Sequence, residues 1–265
     1  MTELEKRSAI VIGATGLTGS HLVKWLCESE AYIAVHVIAR KALSYEHPKL
    51  DVLVKDFDTI EENDLEVAHD FFCCLGTTIK TAGSKEAFEK VDLTYPVQLA
   101  CMAKNKGVSH FVVISAMGAN PNSTVYYNRV KGEMEKQLID LKLKKLSIFR
   151  PSLLTGDRKE FRLGERIGES IMQIVNPLLV GPLKKYRSIE SQQVAFAMMQ
   201  KALSGNNKPV SIYQSDEIAA VKEVLPKEEK PIPRDQLFNW EKREGVFVEE
   251  DLTTEVVDKP LKKEE

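Results

Sequence analysis

The sequence has few residues that could form a metal centre or a disulfide framework. Its four cysteines are Cys27, Cys73, Cys74 and Cys101, and none of them belongs to a C-x-x-C pair. The five histidines include no pair with the spacing of zinc ligands. We therefore expect no bound metal, and we expect the cysteines to behave as small apolar side chains of a reduced protein.

Long apolar runs and an excess of one charge are also missing. No apolar segment approaches the roughly 18 residues that span a bilayer. The formal net charge is only -2, which predicts neither a nucleic acid nor a membrane as a partner. The first seven residues are rich in charge and contain no apolar signal-peptide core. Together these features predict a cytoplasmic protein.

Short β-rich apolar segments alternate with helical patterns through the first 150 residues. The sequence predicts strands at 8–12, 32–38, 51–54, 70–75, 110–115 and 146–149. It predicts intervening helices at 17–29, 85–104 and 126–141, with Pro96 as a kink in the second. This alternation is typical of an α/β protein with a doubly wound parallel sheet, the Rossmann arrangement.

The alternation fades after about residue 151, and the composition changes again near residue 226. We interpret 1–225 as a single NAD(P)-binding Rossmann domain, within which 157–190 form a small C-terminal substrate or lid region. A helix at 191–203 and a strand at 210–213 complete this domain. Residues 226–265 are highly charged, and acidic residues outnumber basic ones, which predicts a partly disordered tail.

A glycine-rich segment lies between the first strand and the first helix. Gly13 allows a tight turn, Gly16 allows close approach of a pyrophosphate, and Gly19 allows close packing of the helix. Helix N-termini favour negative charge, so dinucleotide phosphates suit this turn. The predicted phosphate-binding residues are Gly13, Thr15, Gly16, Leu17 and Thr18.

The end of the second strand indicates which nicotinamide cofactor is bound. NAD-binding folds usually place a carboxylate about 20 residues after the glycine turn, whereas an arginine accommodates the 2′-phosphate of NADP. Here Arg40 and Lys41 follow the strand and no carboxylate is present. A guanidinium can bind a phosphate through two hydrogen bonds. The sequence therefore favours NADP(H) over NAD(H).

Three residues predict chemistry on a carbonyl group. Tyr127 and Lys131 are four residues apart on a predicted helix, so they share one face. The ordinary pKa of a phenol is about 10. A nearby ammonium favours the phenolate and lowers this pKa, so the phenol can pass its proton to a carbonyl oxygen. Ser115 follows the fifth strand and could orient that carbonyl. Tyr126 has Val130 as its i+4 partner, and we expect it to pack or line the pocket.

These motifs resemble the short-chain dehydrogenase/reductase superfamily in its atypical branch, similar to the oxidoreductase-like branch of the Tat-interacting protein. The resemblance covers about residues 8–215 and is carried by the stretches 13–19, 74–78 and 90–92, by the Ser–Tyr–Lys residues, and by Arg150-Pro151. It implies further contacts with the cofactor. The implied positions are Asp56, Phe57, Leu75, Gly76, Thr77, Pro151 and Leu153. Apart from the resemblance, the Lys131 side chain could also hold the nicotinamide ribose.

The loop after the fourth strand departs from the common pattern of that superfamily. It reads Leu75-Gly76-Thr77-Thr78, where most short-chain dehydrogenases have an N-A-G-type sequence. The departure fits the atypical branch and leaves turnover less well supported than cofactor binding. Ser115, Tyr127 and Lys131 together predict an NADPH-dependent carbonyl reductase that acts on a small molecule, with Tyr127 as the acid.

Two other functions stay open. The first is an NADPH-binding regulatory or scaffold protein with little turnover, whose charged tail could contact a protein partner. The second, a nucleotide-sugar epimerase, is weaker. Such enzymes usually have an acid after the second strand and a larger substrate domain than the residues after Pro151 could supply.

Overall fold

The computed structural model describes residues 6–156, 179, 181–204 and 208–222. Most of the predicted lid region at 157–190 and the whole predicted tail at 226–265 lie outside the described residues. In the part that is described, no helix has the length and apolar character needed to cross a membrane. The same part contains no group of three or more side chains suited to holding a metal ion.

Seven parallel strands form the central sheet. The strands are β1 (Arg7–Ile12), β2 (Tyr32–Ala39), β3 (Leu50–Val54), β4 (Asp70–Cys73), β5 (His110–Ile114), β6 (Leu146–Arg150) and β9 (Val210–Gln214). Their order in the sheet is β3-β2-β1-β4-β5-β6-β9. A separate parallel pair joins β7 (Leu154–Thr155) to β8 (Ile189–Glu190). The predicted Rossmann arrangement is confirmed.

The strand order reverses between β1 and β4. From β1 the chain moves outward through β2 and β3, and then returns to place β4 on the other side of β1. Open α/β sheets bind ligands at such a reversal, beyond the carboxyl ends of the strands. The topology therefore marks the edge of the sheet near the end of β1 as the expected site.

Helices cover both faces of the sheet. They are α1 (Leu17–Glu28), α2 (Ile79–Ala82), α3 (Lys85–Glu89), α4 (Tyr95–Asn105), α5 (Tyr126–Asp140), α6 (Ser191–Leu203) and α7 (Ser215–Ala219). On one face α1 packs against α6, where the rings of Trp25 and Phe196 meet edge to face at 5.2 Å. On the other face α4 and α5 cover Phe71 and Phe111, whose rings stack at 5.0 Å.

The helix predicted over 85–104 is interrupted. A π-helical turn, Lys90–Thr94, separates α3 from α4, and its closing bond runs from the Tyr95 N–H to the Lys90 carbonyl oxygen. Pro96 occupies the second position of α4. Proline has no N–H and its ring clashes with the carbonyl four residues earlier, so a regular α-helix cannot run through this point. The π-turn takes up the disruption and points Asp92 into the interior.

Candidate functional site

The turn after β1 is shaped by close approach of two backbone segments. Gly13 has a φ of 82°, and a Cβ on it would lie 2.6 Å from the carbonyl carbon of Cys74 at the end of β4. The Gly16 N–H donates to the Gly13 carbonyl at 3.0 Å. A Cβ on Gly19 would overlap the Gly13 carbonyl oxygen, so the first turn of α1 packs directly on this loop.

The start of α1 is suited to an anion. Gly16 is the N-cap residue, and it supplies no side chain to the amides of the first helical turn. Thr15 and Gly16 are exposed beside these amides. Unsatisfied N–H groups and the positive end of the helix dipole together favour phosphate. The predicted role of this loop therefore fits its geometry, and a side chain at Gly13 would disrupt the cradle.

The predicted cofactor residues lie after the strands that meet this edge. Because all neighbouring strands are parallel, their carboxyl ends share one edge of the sheet. Each predicted group follows one of them: Gly13, Thr15, Gly16, Leu17 and Thr18 after β1, Arg40 and Lys41 after β2, Asp56 and Phe57 after β3, Leu75, Gly76 and Thr77 after β4, and Pro151 and Leu153 after β6. Ser115 follows β5.

Arg40 and Phe57 meet at one side of this edge. The Arg40 guanidinium carbon lies 5.7 Å from the centre of the Phe57 ring, and that ring packs edge to face against Tyr95 at 5.7 Å. The Asp56 carboxylate accepts from the Asp58 N–H at 2.9 Å, which holds the turn carrying Phe57. The phenyl ring therefore supports an exposed guanidinium at the end of β2.

Lys131 is fully buried beside the loop after β4. Its Nζ lies 2.8 Å from Asp92 Oδ1, and the two side chains are 2% and 0% exposed. Burial acts to lower the pKa of Lys131, but the Asp92 carboxylate and, when it is ionised, the Tyr127 phenol outweigh this effect and raise the pKa above its ordinary value. A Cβ placed on Gly76 would be 4.0 Å from Nζ. The ammonium therefore lies at the predicted cofactor loop.

Tyr127 and Tyr126 have different surroundings. The Tyr127 ring packs against the buried Phe88 ring at 5.5 Å, and its phenol interacts electrostatically with Lys131. The Tyr126 hydroxyl donates to Glu89 Oε1 at 2.9 Å. The Tyr127 phenol is thus close enough to Lys131 to interact with it electrostatically, whereas the Tyr126 hydroxyl is bound to the Glu89 carboxylate.

Ser115 has a partner that the sequence did not indicate. Its hydroxyl is buried and donates to Glu135 Oε1 at 2.5 Å. Arg150 binds the same carboxylate through Nε at 2.9 Å and Nη2 at 2.5 Å. The predicted role of Ser115, donating to a substrate carbonyl, requires the proton that is here directed at Glu135. That role stays a prediction.

Asp92 and Glu135 are the site residues that sequence reasoning missed. Glu135 is four residues beyond Lys131 and shares its helical face, which is a signal that spacing alone could have supplied. Asp92 was recognised only as part of the 90–92 stretch of the family resemblance. Its inward direction depends on the π-turn, which the sequence did not predict.

The site has a glycine-lined helix N-terminus at the reversal of a parallel sheet, and a buried lysine and a tyrosine lie beside it. These features define a dinucleotide-binding Rossmann protein. Residues 13–167, more than half of the chain, match the NAD(P)H-binding family, and the chain belongs to that family. Within it, the protein is an atypical short-chain dehydrogenase/reductase of the HTATIP2 branch.

Similar curated proteins come from a mammal and from yeasts. Protein HTATIP2 of Rattus norvegicus is 37% identical over 168 residues, which cover 62% of this chain and 69% of that protein. Protein FMP52-1, mitochondrial, of Scheffersomyces stipitis is 31% identical over 228 residues, covering 80% of this chain and 96% of that protein. The match to FMP52-1 extends over nearly the whole of that relative.

Solved structures with the same fold include enzymes of nucleotide sugars. MoeE5 in complex with UDP-glucuronic acid and NAD superposes with a TM-score of 0.61 at 15% identity, covering 77% of this chain and 75% of that chain. UDP-glucuronic acid 4-epimerase from Bacillus cereus in complex with NAD gives a TM-score of 0.58 at 15% identity, with 78% of each chain covered. At this identity the likeness concerns the fold alone.

The predicted cytoplasmic location is wrong by comparison with the relatives. FMP52 proteins of Scheffersomyces stipitis, Debaryomyces hansenii, Eremothecium gossypii and Candida glabrata are named mitochondrial. The prediction rested on the lack of an apolar signal-peptide core, a feature of secretory signals. Transit peptides to mitochondria are amphipathic and rich in arginine instead, so that argument does not exclude this compartment.

Proposed function

We propose that the protein is an NADP(H)-dependent oxidoreductase of the short-chain dehydrogenase type, which reduces a carbonyl group of a small molecule with Tyr127 as the acid. The observation that carries the proposal is the buried Lys131, which is close to Gly76 of the loop after β4 and interacts with the Tyr127 phenol. This arrangement joins a proton donor to the cofactor edge of the sheet.

The described residues fit a dinucleotide. The amides at the start of α1 would hold the pyrophosphate, Phe57 and Asp56 would flank the adenine, and Gly76 would line the nicotinamide half. When bound, the reduced nicotinamide supplies a hydride to the carbonyl carbon. The protein's own part is to orient that carbonyl, to exclude water and to deliver a proton to its oxygen from the Tyr127 hydroxyl.

NADP(H) is favoured over NAD(H) by the end of β2. Arg40 is exposed there on top of the Phe57 ring, and Lys41 follows it. Since an arginine at this point accommodates a 2′-phosphate and a carboxylate would repel one, these side chains support the phosphorylated cofactor.

The cofactor proposal is tested by fluorescence titration with NADPH and NADH. We expect tighter binding of NADPH in the wild type, and a loss of about tenfold or more in NADPH affinity in R40A, as for one charge-assisted hydrogen bond. NADH affinity should stay within about twofold, because it lacks the 2′-phosphate. K144A is the matched control, since Lys144 contacts Ser109 before β5, at the opposite edge. Equal effects of R40A on both nucleotides would contradict the assignment.

The chemical proposal is tested with a panel of small carbonyl compounds. On any substrate that the wild type reduces, Y127F should lose turnover by at least about a hundredfold, in the range of general acid catalysis, while NADPH binding is retained. Y126F is the control, because Tyr126 interacts with Glu89 rather than Lys131. Full activity of Y127F would remove the proposed acid.

A second candidate is an NADPH-binding regulatory protein with little turnover. The hydrogen bond from Ser115 to Glu135 supports it, because a serine that donates to a buried carboxylate has no proton to offer a carbonyl. Tight NADPH binding with no oxidation of NADPH across the panel would favour this candidate. Turnover that depends on Tyr127 would exclude it.

A mitochondrial location accompanies the proposed function, on the names of the FMP52 relatives. Imaging of the full chain with a C-terminal fluorescent tag should place it with a mitochondrial marker. A diffuse signal throughout the cell would contradict this location.

A further inference from the structure

β3 forms one edge of the central sheet, and in the part of the chain that the structure describes no strand pairs with its outer side. Its ladder with β2 begins where the Val35 N–H donates to the Lys49 carbonyl, and it ends where the Lys55 N–H donates to the Ala39 carbonyl. A parallel ladder uses every second residue of a strand. The residues of β3 whose backbone groups point away from β2 are therefore Leu50, Val52 and Val54.

This outer edge is open to another strand. Within the described residues, the Leu50 N–H donates to the His47 carbonyl at 2.9 Å, but the outward backbone groups of Val52 and Val54 have no such bond. Leu53 is 38% exposed and Val54 is 54% exposed. An exposed apolar edge is a template for strand pairing, which proteins usually prevent with a proline or a bulge. β3 has neither of these features.

A groove of about 530 Å³ lies along the same edge. It is lined by the three outward-pointing residues of β3 and by the connection from β2 to β3, residues 42–48. In this connection Leu43 and Tyr45 pack against the core below the groove. Side chains alternate between the two faces of a strand. A strand that paired with β3 would therefore direct every second side chain into this groove, which suits apolar residues.

The charges of β3 are complementary to those of a second copy of the same strand. Asp51 and Lys55 lie on one face, on either side of Leu53. The Asp51 side chain is 63% exposed, and its carboxylate is 3.6 Å from His36 Nδ1, beyond hydrogen-bond distance. Lys55 binds Asp64 at 2.7 Å but is 29% exposed, so its ammonium has donors to spare. In an antiparallel pair with a two-fold axis at Leu53, Asp51 of each copy lies opposite Lys55 of the other.

The neighbouring symmetric registers lack this match. An axis at Val52 would set Lys49 of one copy against Lys55 of the other, and like charges directly opposite each other are destabilising. An axis at Val54 would set Lys55 against an apolar side chain. In both registers Asp51 has no cation opposite it. Charge therefore selects the register with its axis at Leu53 from those that use the outward backbone groups.

We propose that β3 is the contact between two copies of this chain, which pair as antiparallel strands about a two-fold axis at Leu53 and make the two sheets continuous. Val52 of each copy then exchanges backbone hydrogen bonds with Val54 of the other, because opposed residues with outward backbone groups form the hydrogen-bonded pairs. Such an isologous contact closes at two subunits. The proposal is independent of the proposed function, since no residue of β3 belongs to the proposed cofactor site.

The dimer is weak because the paired strands are short. β3 has five residues. Two such strands bury less surface than the roughly 1,600 Å² of a standard stable interface. We expect a Kd of about 1–100 µM, so that monomer and dimer exchange within the concentration range of an ordinary sedimentation experiment.

Sedimentation equilibrium of the full chain tests the contact. The wild type should change from monomer to dimer as the concentration rises through the expected Kd. D51K and K55D should each weaken the dimer at least about tenfold, because both symmetric pairs then consist of like charges. D140K, which reverses an exposed acid of α5, is the matched control and should leave the dimer unchanged.

An equimolar mixture of D51K and K55D gives the sharpest outcome. In the mixed dimer every lysine again lies opposite an aspartate, so the mixture should dimerise about as tightly as the wild type. A wild type that stays monomeric throughout, a dimer that survives in D51K, or a mixture no tighter than its components would each overturn the proposal.

Disulfide cross-linking tests the register without any change of charge. The native exposed thiol is removed by C101S, and L53C or V54C is added. In the proposed register L53C faces its own copy across the axis, with Cα atoms about 4.5 Å apart, which a disulfide can span. With diamide as the oxidant, L53C should form covalent dimer at least about tenfold faster than V54C.

Random collision predicts the opposite order, because Val54 is more exposed than Leu53. Cross-linking of V54C as fast as that of L53C would therefore overturn the register. This comparison also decides the question if K55D, which loses its bond to Asp64, fails to fold. Circular dichroism of each variant establishes whether it does.

Discussion

His110 lies in a buried polar cluster at the amino edge of the sheet, opposite the proposed site. Its Nε2 is 2.9 Å from Ser147 Oγ, and its Nδ1 is 3.6 Å from Asp70 Oδ1. Asp70 is also bound by Arg7 and by the Tyr32 hydroxyl. The three residue types are those of a hydrolase triad, but Ser147 and Asp70 are completely buried, so the cluster has no access to a substrate.

This cluster makes stability sensitive to acid. Burial first, then the charges of Lys145 and Arg7, lower the pKa of His110 from 6.5 to about 3. Between these two pH values the unfolded chain therefore binds a proton at His110 and the folded chain does not. The unfolding free energy consequently falls as the pH drops below 6.5. Between pH 7 and pH 5 we expect His110 to account for a loss of about 2 kcal/mol in unfolding free energy.

Urea denaturation at both pH values measures this loss. H110Q should show less of the difference between pH 7 and pH 5, whatever its effect on stability at pH 7. H36Q, a change in β2, is the control and should keep most of the difference. An identical pH dependence in H110Q and the wild type would contradict the assignment to His110.

Ser115 is expected to matter for stability through Glu135. Its hydroxyl makes a buried bond to a charged acceptor, and the loss of such a bond typically costs about 1.5–3 kcal/mol. We predict this loss for S115A in urea denaturation, with NADPH affinity retained. S123A is the control, because the Ser123 side chain accepts from the Val125 N–H in an exposed loop. A cost in S115A no larger than in S123A would exclude the bond to Glu135 as a stabilising contact.

At the scale of elements, α5 is held against the loop that follows β5. A Cβ on Gly132 would overlap the backbone of Asn120 and Pro121. The Asn120 N–H also donates to the Asn128 carbonyl at 3.0 Å. Gly132 directly follows Lys131, so the absence of a side chain there sets how closely the loop approaches the helix that carries the proposed catalytic pair.

G132A should separate the loop from α5. We expect a loss of about 1–3 kcal/mol in unfolding free energy, the usual cost of overpacking, because the clash involves backbone that has no rotamer to change. Circular dichroism during urea denaturation measures it. K136A on the same helix is the control, since Lys136 is exposed and should change stability by no more than about 0.5 kcal/mol. A neutral G132A would mean that the loop can move without cost.

At the scale of the whole molecule, cofactor binding and folding should be linked. The proposed phosphate site is built from the end of β1, the start of α1 and the end of β4, and these segments are brought together only in the folded chain. At a concentration one hundred times its Kd, NADPH should add about 2.7 kcal/mol to the unfolding free energy, since it binds the folded state alone.

Thermal unfolding with and without NADPH measures this linkage. The midpoint should rise with nucleotide in the wild type. G13A should show almost no rise over its own midpoint without nucleotide, because a Cβ at a φ of 82° would press on Cys74 and deform the cradle. A full rise in G13A would place the nucleotide elsewhere.

Much of this architecture was present in the amino-acid sequence. The apolar strands, the glycine turn after the first of them, and the Tyr127–Lys131 spacing follow from periodicity and local chemistry, and the structure has the corresponding elements. Because parallel strands end at one edge, the sequence also predicted which loops would meet there. These features are local, or follow from one topological rule.

Only the tertiary structure decided which buried charges meet. The partner of Lys131 comes from a π-turn about forty residues earlier. The partner of Ser115 comes from α5 and is itself bound by an arginine at the end of β6. No spacing rule relates residues that belong to different elements, because their contact depends on how the helices pack on the sheet. In a water-free interior such contacts then determine which protons and charges are available for chemistry.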